Sequence, residues 1–384
     1  YTVFCQYGKI AIFFSMKILI FNWRDLRHSW AGGGEIYIFE QAKRWVKMGH
    51  EVTVFCGQDV EKDLPSFEII DGIKIYRKGG RYSLFLWAIW YYLKVIKEKS
   101  DIIIDVVNGI PFFTPFFCRI PKICFVYHVH GKQFFYELPF PLNYLGYLIE
   151  KFIFPLIYIN MPVVVISQTT KKELERIGFN GEKISIVYSG INGQNAQKAL
   201  EAKFANPTLL YLGRIKRYKR VDLLVEIFPK IIEKVPNARL IIAGWGTEAS
   251  NIANLVMKSS LRRKISLMGP VSEEEKKLLL SRAWVFVNPS IGEGWSMAVI
   301  EANLYGTPAV AFDVPGLAES IRHGKTGLLA QDEEGLTQKI CETLMDNILR
   351  EKLSKNAMNW TSRFSWDRSA KESLSILKSL RRNR

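Results

Sequence analysis

Twice in this chain a short apolar run ends at a glycine-bearing turn and resumes as a helix, and that pattern restricts the fold more than any other feature. In the first instance Lys17 to Asn22 reads as a buried strand, and the loop after it ends in Ala31-Gly32-Gly33-Gly34-Glu35. Ile36, Phe39, Ala42 and Val46 then recur at helical spacing, Gly49 supplies a stop, and Glu51 to Cys56 reads as the next strand. Further strands are expected at Ile73 to Arg77, Asp101 to Val107, Lys122 to His128, Val163 to Ser167 and Ile184 to Tyr188. The second instance runs from the strand Thr208 to Leu212, through Gly213 and a basic loop, into the helix Val221 to Lys234. Strands at Arg239 to Ala243, Ile265 to Met268, Val285 to Pro289 and Ala309 to Asp313 follow, with helices between them. Strand–helix alternation of this kind implies parallel sheets covered on both faces. At 384 residues the chain exceeds what one hydrophobic core organises. The expected class is therefore α/β, with two facing, Rossmann-like, doubly wound parallel-sheet domains. The boundaries read as 16–192 for the first and 207–362 for the second, a polar, alanine-rich linker at 193–206, and a terminal helix in 363–384.

Lysine and arginine outnumber aspartate and glutamate by 53 to 37, a formal charge of +16, which favours anionic partners. The basic residues are scattered, with no zinc-finger spacing and no RNA-binding aromatic signature, so nucleic acid is not expected as a partner. The five cysteines (Cys5, Cys56, Cys118, Cys124 and Cys341) form no CxxC pair, which suits a reduced, cytoplasmic protein. Apolar runs fall short of the roughly 20 residues that span a bilayer. Met16 to Phe21 reads as the natural start of the first strand, which makes residues 1–15 an extension of doubtful status, with a signal peptide as the alternative.

Four stretches carry chemistry. In Asn288-Pro289-Ser290-Ile291-Gly292-Glu293-Gly294-Trp295-Ser296-Met297-Ala298-Val299-Ile300-Glu301, a strand ends, two glycines bend the chain, and a helix begins. Free backbone N–H groups at such a helix start hold anions, a diphosphate among them. Glu293 and Glu301 stand eight residues apart, about 12 Å if the stretch is helical. That spacing matches the reach from a sugar, across a pyrophosphate, to a ribose. The plain alternative, two glutamates on a solvated helix face, is countered by the flanking glycines and the apolar run Met297 to Ile300. In the second stretch, Tyr211-Leu212-Gly213-Arg214-Ile215-Lys216-Arg217-Tyr218-Lys219-Arg220, Arg214 and Lys219 are placed to converge on a diphosphate, or else form a basic surface loop. The third is the Gly32-Gly33-Gly34 turn, where missing side chains let a ligand approach the backbone. The fourth is Tyr127-His128-Val129-His130: the HxH pair has no third ligand at metal-site spacing, and His128 either hydrogen-bonds a ligand hydroxyl or is structural.

Together these motifs resemble the GT4-type family of retaining glycosyltransferases, which have the GT-B fold of two Rossmann-like domains facing across a cleft. The resemblance runs from Met16 onward and is strongest at the E-x7-E stretch Glu293 to Glu301. It is supported by Ile241-Ile242-Ala243-Gly244-Trp245-Gly246, by Gly306-Thr307-Pro308 through Gly316 and Glu319, and by Gly324-Lys325-Thr326-Gly327-Leu328-Leu329. The resemblance implies that Arg214 and Lys219 bind the donor diphosphate, and Glu301 the ribose. Glu293 and the backbone of Gly294, Trp295 and Ser296 would meet the donor sugar and phosphate, and His128 would touch the sugar. Met268 and the Gly244 loop would line the base pocket, Gly33 and Gly34 the donor side of the first domain, and the helix Trp366 to Ser379 would cross back to the first domain. Glu293, His128, Arg214 and Lys219 are thus the expected catalytic set. Two departures stand out: Arg220 occupies a position where glycine commonly follows the lysine, and Asn192 stands where Gly-Ile-Asp is usual.

The resemblance further implies transfer with retention, by front-face attack in which the departing β-phosphate takes the acceptor's proton. No cofactor and no essential metal is expected, the nucleotide sugar (UDP- or GDP-linked, with a hexose-type sugar) being the co-substrate. The aromatic, basic-ended stretch Arg81 to Lys94 and the segment Phe134 to Pro162 suit a glycan or lipid-linked acceptor met at an anionic membrane surface, or simply cover the first sheet. The expected location is cytoplasmic, with peripheral attachment to the inner membrane face as an extension of that reading. Surface-polysaccharide assembly is the expected setting. Alternatives are a GT-B sugar-nucleotide epimerase, a non-catalytic sugar-nucleotide-binding module, and a dinucleotide-dependent oxidoreductase, the last disfavoured by the missing GxGxxG.

Overall fold

In the computed structural model, residues 15–96, 100–193 and 201–382 are described. The expectations for residues 1–14, for Cys5 and for half of the linker (194–200) lie outside them. The chain divides into two compact units. One comprises the N-terminal residues up to His130, Leu145–Gly190 and the segment from Trp366; the other comprises Gly131–Tyr144 and Ile191–Ser365.

The first unit is a sheet of β1 (Lys17–Phe21), β2 (Glu51–Cys56), β3 (Phe67–Ile70), β4 (Ile73–Arg77), β5 (Ile102–Val107), β6 (Lys122–Val126), β7 (Val163–Val165) and β8 (Ile184–Ile186). Its order is β3-β4-β2-β1-β5-β6-β7-β8, parallel throughout except for the β3–β4 hairpin. All six residues of β5 are buried, as a central strand covered on both faces requires. Asp105 within it is tied by Tyr158 Oη, Thr114 Oγ1 and the Phe112 and Thr114 N–H groups, so a buried carboxyl keeps its hydrogen bonds. The β3 strand was not anticipated, and β6 stops at Val126 rather than His128, which leaves His128 in the loop beyond the strand.

The terminal helix Trp366–Arg382 belongs to this first unit. Trp366, Ala370, Ser373, Leu374 and Leu377 recur at helical spacing and are all buried. They pack toward the helix Gly33–Lys47, where the Trp366 ring lies 6.2 Å edge-on from Tyr37 and Trp45 Nε1–H donates to the Ala370 carbonyl at 2.9 Å. Arg44 pairs with Asp367 at 2.6 Å on the rim of the same contact.

The second unit is a six-stranded, fully parallel sheet of β9 (Thr208–Leu212), β10 (Arg239–Ala243), β11 (Ile265–Gly269), β12 (Val285–Asn288), β13 (Ala309–Phe312) and β14 (Gly327–Ala330). Its order, β11-β10-β9-β12-β13-β14, is that of a Rossmann sheet. Strand β14 begins within the Gly324 to Leu329 stretch, which was read as a motif and not as a strand. Two apolar clusters cover the opposite faces, one built on Leu209, Phe228, Ile242 and Val287, the other on Leu210, Phe286, Val299 and Ala311. The last residues before β9 are anchored: Lys203 Nζ donates to the carbonyls of Ser281, Ala283 and Gly306 at 2.8–3.0 Å and to Thr307 Oγ1 at 2.8 Å.

Among the described residues no helix is long and apolar enough to cross a membrane. Because Trp366 fills the first unit's interior, Trp366→Ala is expected to destabilise that unit by about 3–5 kcal/mol. Chemical denaturation followed by fluorescence checks this, and the expected outcome is an earlier unfolding transition with the second unit's transition unmoved.

Candidate functional site

In a sheet ordered β11-β10-β9-β12-β13-β14, the connections leave β9 and β12 in opposite directions, and a crevice opens beyond their carboxyl ends. The two most informative sequence stretches are the loops that leave those two strands. After β9 come Gly213, Arg214 and the 3-10 turn Arg217–Lys219; after β12 come Pro289 to Ser296 and the helix Met297–Leu304. The Ile291 N–H donates to the Tyr218 carbonyl at 3.0 Å, which ties one loop to the other.

Lys219 and Glu293 meet at this junction. Lys219 Nζ donates to Glu293 Oε1, and each side chain keeps only 13% of its exposure. Asn288 Nδ2 (3.3 Å) and Ser290 Oγ (3.2 Å) donate to the same oxygen. Oε2 has no such bond among the described residues. Burial disfavours the Lys219 charge, but Glu293's charge and hydrogen bond outweigh it and raise the lysine above its ordinary value. The charge of Arg214, close enough to be felt, opposes that rise.

Glu301 sits in the Met297–Leu304 helix and accepts from Lys276 Nζ at 3.1 Å. Burial raises its carboxyl pKa, with Lys276 pulling the other way. The helical spacing expected for Glu293 and Glu301 is corrected here: the helix begins at Met297, and Glu293 lies in the loop before it. Ser296 is the N-cap residue, yet no side chain caps this helix. Its Oγ instead accepts from Asn288 Nδ2 at 3.1 Å. The helix start is therefore open to an anion. Trp295 turns its indole inward, 5.2 Å from Phe364, so its backbone is the part the loop presents.

Backbone packing explains the glycines around the crevice. A Cβ on Gly244 would lie 1.8 Å from the Gly213 carbonyl oxygen, and one on Gly316 would lie 2.0 Å from that of Glu293. The Gly244 N–H in turn donates to the Gly269 carbonyl at 2.7 Å, which stacks the loops after β9, β10 and β11. Met268, on β11, keeps 41% of its surface exposed. Arg220 has a left-handed backbone (φ 49°), the conformation glycine adopts without strain. Its guanidinium is held by Asp222 at 3.1 Å and Glu333 at 3.2 Å, contacts that a glycine would forgo.

The segment Gly131–Tyr144 also joins this unit. Glu137 pairs with Lys216 at 3.0 Å, and Gln133 Nε2 lies 2.5 Å from where a Cβ on Gly292 would be.

In the first unit, Gly33 and Gly34 begin the helix Gly33–Lys47. The Gly32 N–H donates to Glu35 Oε2 at 2.7 Å, while Glu35 Oε1 pairs with Arg24 at 3.2 Å. A Cβ on Gly34 would press on the Tyr127 ring at 2.7 Å, so this glycine has a packing role of its own. His128 and His130 place their rings 4.0 Å apart. Among the described residues no group of three or more His, Cys, Asp or Glu side chains is arranged to hold a metal ion. Sequence reasoning gave no role to Asn288, Ser290 or Lys276; the first two stood inside the quoted motif, and nothing in the spacing signalled the third.

Comparison with known proteins bears on the family and the fold. Residues 194–360 match the family model for glycosyl transferases group 1, and residues 31–194 match that for glycosyltransferase family 4. An uncharacterised glycosyltransferase of Methanocaldococcus jannaschii is 27% identical, over 94% of this chain and 98% of its own. Sucrose-phosphate synthase of Thermosynechococcus elongatus shares the fold with a TM-score of 0.78 at 21% identity, covering 95% of this chain and 99% of that one. HepE of Anabaena, solved with UDP-glucose, shares it with a TM-score of 0.73 at 16% identity, covering 95% and 100%.

Gly244→Ala forces the stacked loops apart and is expected to cost about 2–6 kcal/mol. Gly269→Ala, with φ 66° and open space around it, should cost only about 1–2 kcal/mol. Paired thermal melts check the contrast, and equal losses would contradict the stacking argument.

Proposed function

Since the chain belongs to the group 1 glycosyltransferases, with the GT-B fold, we propose that it moves a hexose-type sugar from a UDP- or GDP-linked donor to a glycan or lipid-linked acceptor, with retention at the anomeric carbon. The observation that carries this reading is the junction of the β9 and β12 loops, where Lys219 and Glu293 pair near Arg214 beside an uncapped helix start, with Glu301 farther along that helix. In this reading the diphosphate lies against Arg214, Lys219 and the first N–H groups of the helix Met297–Leu304. Glu301 accepts from the ribose hydroxyls, and Gly244 and Met268 border the base. The backbone of Gly294, Trp295 and Ser296 supports the phosphate, and Glu293 Oε2 is left to accept from a sugar hydroxyl.

Two of these groups act on the bond being broken. As the glycosidic C–O bond lengthens, negative charge grows on the β-phosphate, and Lys219 and Arg214 are fixed in place to stabilise it without reorganisation. The same phosphate takes the acceptor's proton on the face the sugar is leaving, which preserves the anomeric configuration. The cations carry the charge that a divalent metal would otherwise balance, so this reading has no essential metal. HepE's UDP-glucose supports a nucleotide-sugar donor.

The first unit exposes apolar side chains at Leu86, Trp90 and Leu93, and again at Leu145, Leu148, Phe152 and Leu156, with Lys94 and Lys151 exposed beside them. These support a peripheral encounter with an anionic membrane carrying the acceptor.

A thermal-shift panel of UDP-, GDP- and ADP-sugars, run in EDTA, tests the donor. One nucleotide series should stabilise the protein, Glu301→Ala should abolish the effect, and Arg214→Met should weaken affinity about tenfold to a hundredfold. Stabilisation by NAD(P) instead would overturn the reading, and donor turnover without an acceptor would mark an epimerase. For the membrane, co-sedimentation is expected with phosphatidylglycerol vesicles at low salt and should fall at about 0.5 M salt. Equal binding to phosphatidylcholine vesicles would contradict the electrostatic part.

A further inference from the structure

A lysine that the proposed reaction leaves without a role lies beside the carboxylate assigned to the ribose. It stands on the helix Glu273–Arg282, whose first turn is fixed by a capping box. The Glu275 N–H donates to Ser272 Oγ at 3.2 Å, and Glu275 Oε2 accepts from the Ser272 N–H at 2.8 Å. Two lysines follow, and they go different ways. Lys277 keeps 43% of its side-chain exposure and pairs with Glu274, itself 84% exposed, an ion pair of little worth on a solvated face. Lys276 keeps only 17%, and its ammonium reaches the neighbouring helix Met297–Leu304, where it donates to Glu301 Oε1 at 3.1 Å. Its other partner is the exposed Glu273, at 2.9 Å.

The two oxygens of Glu301 are thereby divided. Lys276 holds Oε1, while Oε2 accepts no hydrogen bond among the described residues, and 22% of the side chain stays open. A largely enclosed carboxylate is disfavoured in its charged form unless a cation or donors compensate. Lys276 supplies the one hydrogen bond that this carboxylate accepts among the described residues. We propose that Lys276 is a positioning residue for the nucleotide's ribose: its ammonium pairs with Glu301 and holds the carboxylate so that Oε2 accepts from the vicinal hydroxyls, which sets the preference for a ribose over a sugar lacking them. This role rests on the reading of Glu301 given above, and both side chains belong to the second unit.

Charge explains why a cation serves here better than a neutral donor. An ionised carboxylate accepts from a hydroxyl more strongly than a neutral carboxyl does. The titratable groups facing Glu301 are Lys276 and Glu273 on the neighbouring helix, and Tyr305 just beyond the end of its own. Burial raises the Glu301 carboxyl pKa, Lys276 opposes that rise, and the charge of Glu273 adds to it. Without the ammonium, burial and Glu273 both act in the same direction, so more of Glu301 is protonated at any given pH. Ribonucleotide affinity is therefore expected to fall as pH is lowered, and to begin falling at a higher pH once Lys276 is replaced by an uncharged side chain.

The test is calorimetric binding of UDP and GDP to the full chain, each compared with its dideoxy analogue, which lacks both ribose hydroxyls. The wild type should prefer the ribonucleotide about tenfold to a hundredfold. Lys276→Met removes the charge and should narrow that preference to about threefold or less, with the dideoxy analogue bound within about twofold of the wild type. The ratio of the two affinities is the readout, since a loosened fold lowers both. Lys276→Arg keeps a cation and should retain most of the preference. Adding Glu301→Ala to Lys276→Met should narrow it little further, because one interaction is then removed twice. An unchanged preference in Lys276→Met, or an equal loss of both nucleotides, would overturn the positioning role and leave the donor site standing. A wild type that binds the diphosphates without preferring ribose would overturn the reading of Glu301 and this role with it. A wild type that binds no nucleotide at all would overturn the functional reading as a whole.

Discussion

A lysine and a glutamate, each all but enclosed, face one another where the β9 and β12 loops meet, and the site is organised around that pair. Taking two charges out of water is unfavourable unless geometry and further hydrogen bonds compensate. Here Asn288 and Ser290 supply them, both aimed at the oxygen Lys219 already holds. Asn288 also reaches Ser296 at the helix start, so one amide orients the carboxylate, the loop and the cap residue together. Removing one partner would leave the other buried and unpaired, a loss of about 3–5 kcal/mol. The pair thus sets the loop positions before any ligand arrives, which is what electrostatic stabilisation of a leaving diphosphate requires.

The glycines make that arrangement sterically accessible. Gly244 lets the loop after β10 close on Gly213, and Gly316 lets the loop after β13 close on Glu293. Backbone-to-backbone contact at these points places main-chain groups, not side chains, around the crevice. The Rossmann strand order decides where the crevice is, and the glycines decide how closely its walls can approach.

Much of this was legible in the chain itself. Strands β2, β4, β9 and β10 and the helix Val221–Lys234 begin and end where their apolar pattern and turn residues put them. The Rossmann-like fold and the family followed from glycine placement and the order of the motifs. What was missed has identifiable causes. Strand β3 pairs only at the sheet edge and leaves Phe67 and Ile69 exposed, so its sequence lacks the signature of a buried strand. Helical spacing was assumed for Glu293 because the glycine turn gives no local mark of where the helix starts. Lys276 sits in a run of three glutamates and two lysines that reads as a solvated face, and only the tertiary fold brings it to Glu301, 25 residues on. The His130 N–H meets Glu150 from 20 positions away, a separation at which periodicity carries no information.

The central claim is that the diphosphate of a nucleotide donor is held at the β9–β12 junction of the second unit. A crystal structure of the protein soaked with a nucleoside diphosphate tests it most directly. The account predicts the β-phosphate against Arg214, Lys219 and the N–H groups at the start of the helix Met297–Leu304, with the ribose hydroxyls on Glu301. A diphosphate seated instead at the Gly32-Gly33-Gly34 turn, with the Lys219–Glu293 pair untouched, would contradict it.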